Sequence, residues 1–174
     1  MRAADFKVNI IGLSQKSHRF DFTFGDDFFK IYGVSLLSGG QFEAEITLDK
    51  RETLIDANFR IRGAAHLVCD RSLEPFDYPM DIDRRIVFKY GEEEKELSDE
   101  IVLITREQAA LDLGQYMYEL ITVALPMKRL HPKFKEEEIE AEEDIHLVYS
   151  SPADETKNEE DNIDPRWEKL KKLK

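Results

Sequence analysis

One cysteine, Cys69, is the whole thiol content of the 174 residues, so the chain cannot close a disulfide within itself. A lone thiol fits a reducing compartment. Long hydrophobic runs are missing as well. The opening stretch MRAADFKVNIIGLSQKSHRF has no segment apolar enough for a signal peptide or a membrane span, and we expect a cytoplasmic protein without membrane contact. Signatures of common chemistry are lacking too: there is no phosphate-cradling glycine loop, no GxSxG and no HExxH. The histidines, His18, His66, His131 and His146, follow no metal-ligand spacing. His66, Cys69 and a distant His131 are donors that could converge on zinc, but chance placement explains them better. Only Arg71 stands near the thiol to lower its pKa, which argues against a Cys–His nucleophile pair. We expect no catalysis, no metal and no cofactor.

Acidic charge is what the chain has in excess. The net charge is -12, and it is unevenly spread. Residues 1–90 carry 13 basic and 14 acidic side chains, whereas residues 91–174 carry 12 and 23. An acidic surface repels phosphate backbones, so broad non-specific binding of nucleic acid is disfavoured. Acid-rich segments more often meet basic proteins or stay hydrated. Seven of the nine residues from Glu136 to Asp144 are acidic, a density that resists compaction.

The first ninety residues alternate with period two. Phe6, Val8 and Ile10 share one face, as do Phe20, Phe22 and Phe24, then Phe42, Ala44, Ile46 and Leu48, then Ile55, Ala57, Phe59 and Ile61. Repeated alternation with charged residues between predicts antiparallel strands with one wet face. In MDIDRRIVFKY, Arg84 falls on the parity of Ile82 and Ile86, a break that suggests an edge or a bulge. GDDFFKIYGVSLLSGG reads equally as a short helix or a loop. GEEEKELSDE reads as a solvated loop, and IVLIT as one more strand. DLGQYMYELITVALP predicts the main helix over 112–125. Asp112 caps it, Gln115 completes a capping-box pattern, and Pro126 ends it. Its apolar stripe runs through Leu113, Met117, Leu120 and Ile121. In DPRWEKLKKLK, Asp164 and Pro165 suit a helix start, and Trp167, Leu170 and Leu173 share a face. Ten residues hold no helix alone in water, so this one is expected to dock.

Three segments carry a resemblance. CDRSLEPF, LDLGQYMYELITVALPMKRLHP and DPRWEKLKKL are similar in order and spacing to the signature regions of the YceD family, proteins linked to accumulation of large-subunit ribosomal RNA. The likeness spans roughly residues 60–173. It places a Cys-x-Arg-Cys-Leu pattern on Cys69, Arg71, Ser72 and Leu73. The helix region falls on Asp112, Leu113, Glu119, Leu120, Leu125 and Pro126, followed by His131. The last region falls on Asp164, Pro165, Arg166, Trp167 and Leu170. Ser72 stands where relatives often have a second cysteine, and no cysteine follows Cys69. A knuckle turn without its metal is the expectation, since a serine hydroxyl stays protonated at neutral pH and ligates zinc poorly.

Together these readings give an α+β fold. A strongly bent antiparallel sheet or partial barrel packs against one main helix, with a C-terminal helix beyond. The expected organisation is an α+β body over 1–130, an acidic, partly disordered linker over 131–163, and a docking helix over 164–174. The resemblance implies a role in ribosome assembly or ribosomal RNA accumulation. The charge distribution suggests a protein-binding adaptor whose partner is a basic ribosomal protein or assembly factor. One alternative is direct binding of ribosomal RNA by Arg60, Arg62, Arg71, Arg84 and Arg85. A weaker one is a metal-dependent hydrolase or nuclease using Asp81 and Asp83, for which no further acidic ligands can be placed.

Overall fold

The period-two segments become long strands because each has one continuous apolar face to bury. A computed structural model of the protein describes residues 2–32, 37 and 39–134. In chain order these hold a 3-10 turn (Ala3–Phe6), β1 (Lys7–Asn9), β2 (Ser17–Phe24), α1 (Asp26–Tyr32), β3 (Gly39–Lys50), β4 (Leu54–Val68) and β5 (Pro75–Gly91). Then come β6 (Lys95–Ser98), β7 (Ile101–Thr105), β8 (Ala110–Asp112), α2 (Leu113–Val123) and a 3-10 turn (Pro132–Phe134). The main sheet has six strands in the order β2-β3-β4-β5-β7-β6, and β1 pairs separately with β8.

From β2 to β5 the sheet is an antiparallel meander. Its register sets Phe20, Ile46, Phe59 and their neighbours on one face. Both helices cover that face. Phe28 and Phe29 of α1 meet Phe24, and Phe29 also meets Phe42. Tyr116 of α2 meets Phe59 and Phe88. The helices also touch each other, Tyr32 stacking on Tyr118 at 6.1 Å. Ile46, Leu48, Ile55, Phe59, Ile61, Phe88, Leu113, Met117 and Ile121 are fully buried in the layer between. Each such side chain contributes roughly 1.5–3 kcal/mol on leaving water.

The expected strongly bent or barrel-like antiparallel sheet is not what forms. The sheet is mixed and open, neither strongly curled nor closed, and among the described residues two helices, α1 and α2, pack on it. Two physical reasons account for this. The helices and the β1–β8 pair already cover the apolar face, so the sheet has no need to wrap on itself, and its opposite face is charged and needs water. The run GEEEKELSDE is also not a plain loop. Its four residues Lys95–Ser98, all exposed, form edge strand β6, and the apolar β7 slots between β6 and β5. That makes β7 parallel to β5 and antiparallel to β6. A charged strand at the edge and an apolar one inside is the arrangement that protects a sheet from edge pairing. The C-terminal helix expected over 164–174, and the acidic run beyond Phe134, lie outside the described residues. Among the described residues no helix is long and apolar enough to cross a membrane.

Candidate functional site

Cys69 directly follows the last residue of β4, Val68, and the chain reverses through Asp70–Glu74 before β5 begins. The reversal is closed by its own backbone: Leu73 N–H donates to Cys69 O, and Cys69 N–H donates to Glu74 O, each at 2.9 Å. Leu73 pays for it with a left-handed φ of 59°, a strained conformation for a γ-branched residue. The Cys69 side chain is fully buried. Its Sγ accepts N–H bonds from Ser72 at 3.5 Å and His131 at 3.3 Å. Burial pushes this thiol up, but hydrogen bonds from Ser72 and from the His131 and Arg71 amides outweigh it and bring it down to about 7.

A second segment braces the turn. Arg129 N–H donates to the Asp70 carboxylate at 2.8 Å, Asp70 N–H returns a bond to Arg129 O, and the guanidinium of Arg129 reaches Asp70 at 3.0 Å. Ser72 Oγ donates to Glu74, whose carboxylate also pairs with Lys133. Arg71 lies over the ring of Phe134 at 4.5 Å, and the His131 ring lies against Phe76. Cys69, Arg71, Ser72 and His131 are thus brought together with the 129–134 segment. His66 sits instead beside Asp77, Nδ1 to Oδ1 at 2.5 Å. Among the described residues no three His, Cys, Asp or Glu side chains gather to hold a metal ion.

Asp112, Leu113, Glu119 and Pro126 form a different group. Asp112 caps α2, accepting from Gln115 N–H at 3.3 Å. Gln115 does not reach back. Its amide donates to Glu119. Asp112 also accepts from the Tyr32 hydroxyl at 2.9 Å and lies 3.8 Å from Lys7 Nζ. It therefore joins α1, β1 and α2. Leu113 is fully buried and Pro126 half-buried just past the helix end. Asp164, Pro165, Arg166 and Trp167 lie outside the described residues.

The five arginines weighed for RNA do not make one basic face. Arg60 and Arg62 are neighbours on the open face of the sheet, but each faces a carboxylate: Arg60 pairs with Asp83 at 3.1 Å and Arg62 with Asp81 at 3.2 Å. Glu43 and Glu45 flank them from β3, opposite Arg62 and Arg60 in register. Arg19 bridges Asp21 and Glu45 on the same surface. Arg85 grips Asp56 through two nitrogens. Arg84 points the other way, into a trough that it shares with Glu119 of α2, and Arg71 is at the far turn. Asp81 and Asp83 are likewise committed to arginines. Sequence reading passed over most of the partners that complete these pairs: Asp56, Asp70, Arg129 and Lys133, and Tyr32 as the partner of Asp112. Only the alternating charges of β4 and β5 signalled any of them.

No curated protein and no solved structure matches the chain. A family model described as large ribosomal RNA subunit accumulation protein YceD matches residues 57–174, well over half of the sequence. The cysteine turn, the capped helix with its closing proline and the terminal Asp164–Trp167 run all fall within that match, and the chain belongs to the YceD family.

Proposed function

We propose that this protein serves large-subunit ribosomal RNA accumulation without catalysis, as an adaptor that binds a basic ribosomal protein or assembly factor. Membership of the large ribosomal RNA subunit accumulation family supports that role. The observation that carries the adaptor reading is the state of the arginines. On the open sheet face they are spent on Asp81, Asp83 and Asp56 and flanked by Glu43 and Glu45, which leaves little free positive charge to neutralise a phosphate backbone. The acidic excess of residues 91–174 points the same way.

The test uses purified large-subunit ribosomal proteins and ribosomal RNA fragments at two salt concentrations. Replacing Glu136, Glu137, Glu138, Glu142 and Glu143 by Gln, and Asp144 by Asn, should slow association with a basic protein and flatten its salt dependence. Neutralising Arg60, Arg62, Arg71, Arg84 and Arg85 should leave that association in place. Tight binding to RNA alone, lost with the arginines and indifferent to the acidic residues, would overturn the reading in favour of direct RNA recognition.

A further inference from the structure

Between α2 and the β5–β7–β6 margin of the sheet runs a trough of about 460 Å³. Its floor is apolar, built from Ile86, Val102, Tyr116, Leu120 and Val123. Its rim is acidic, with Glu96, Asp99 and Glu100 on the strand side and Glu119 on the helix. Arg84 and Arg85 also line it, but Arg85 is held by Asp56, so four carboxylates face one remaining guanidinium. Arg84 makes no ion pair among the described residues.

Two further observations mark this as a cation-seeking surface. Burial first, then the neighbouring charges of Glu119, Glu96 and Glu94, push the Tyr116 phenol up to about 12. The last turn of α2 carries no basic residue to offset the negative end of its dipole. The apolar lining is open at its helix end, where Val123 is 85% exposed, while Val102, Tyr116 and Leu120 are half-buried. A purely polar basic tail would waste that apolar floor, and a nucleic acid would meet the carboxylates.

We propose that the trough receives a lysine- or arginine-rich amphipathic segment of a protein partner. Its apolar side chains lie along Val102, Leu120 and Val123, and its cations reach Glu96, Glu100 and Glu119. This is helix-in-groove recognition with an electrostatic rim. It rests on the adaptor reading above and gives that adaptor a seat.

The experiment measures binding of the full chain to a fluorescein-labelled amphipathic Leu/Lys peptide, and to purified large-subunit ribosomal proteins. Val123→Asp and Glu119→Lys should each weaken both by about tenfold or more. Glu43→Lys with Glu45→Lys, on the opposite face, should not weaken the peptide beyond the general loss of charge. Val123 and Glu119 are exposed, so melting temperatures should hold, and Val123→Ser serves as a milder second variant. Ribosomal-protein binding that survives every trough variant would overturn the trough and leave the adaptor reading standing. Binding to ribosomal RNA with no protein bound would overturn both. A dimer of the chain that Val123→Asp abolishes would assign the trough to a second copy and overturn the proposal.

Discussion

Asp56 is the buried charge among the described residues, 7% exposed and held through two bonds by Arg85. The Arg85 guanidinium holds its carboxyl below the usual range against the opposing effect of burial. Removing the partner leaves a carboxylate in the sheet without compensation. Arg85→Ala should therefore destabilise the fold at neutral pH, and only modestly because the arginine itself is exposed. The sign of the pH dependence follows from the depressed value. The stabilisation is fully present above the ordinary aspartate range, about pH 4, and is lost as pH falls below it through the folded-state value. Urea unfolding of both proteins from neutral to acid pH checks this: the gap between them should narrow only below about pH 4. A constant gap would mean that the pair is not what the substitution disturbs. Sequence reading could reach single residues such as Cys69 and Asp112 because caps and turns are local. It could not reach their partners. Arg129 N–H meets Asp70 across 59 residues and Tyr32 meets Asp112 across 80, and no periodicity spans such distances.

At the scale of elements, α1 and α2 meet where a side chain is missing. A Cβ on Gly114 would lie 2.0 Å from the Tyr32 hydroxyl and 2.8 Å from Phe6 Cβ. Alanine favours a helix over glycine by about 1 kcal/mol. The clash should win, because Tyr32 is hemmed in by Phe6, Phe28 and Tyr118 and cannot swing aside. Gly114→Ala should lose roughly 1–3 kcal/mol, the usual cost of overpacking. Tyr32→Phe alone should cost about 1 kcal/mol through its hydrogen bond to Asp112. In the alanine background the same change should restore part of the loss, and a double-mutant cycle by urea unfolding reads the coupling. Additive effects would place the strain elsewhere. The strands were legible because alternation is a local record of burial: Phe42, Ala44, Ile46 and Leu48 are all buried as their spacing required. The main helix was legible for the same reason, observed over Leu113–Val123 against 112–125 expected. β6 was not, since Lys95–Ser98 buries nothing and is a strand only through its pairing with β7.

For the molecule as a whole, the balance of charge could be read directly, whereas the order of strands could not. Strand order depends on which edge is left for water, a property of the assembled sheet. Placing β7 inside β6 has a kinetic consequence. The β2–β5 meander links neighbours in sequence, whereas β7 reaches β5 only after the chain has passed outward and returned. The β6–β7 hairpin is local and the β5–β7 join is not, so the join is a seam along which the sheet should part first. Amide hydrogen exchange should show β6 and β7 opening together at lower free energy than β3 and β4, although Ile104 is as buried as the meander's core. Protection of β7 equal to that of β4 would deny the seam. The trough floor straddles this line, with Ile86 on β5 and Val102 on β7. Whatever lies there staples the sheet shut, so occupancy of the trough should slow the opening of the seam more than any other part of the protein.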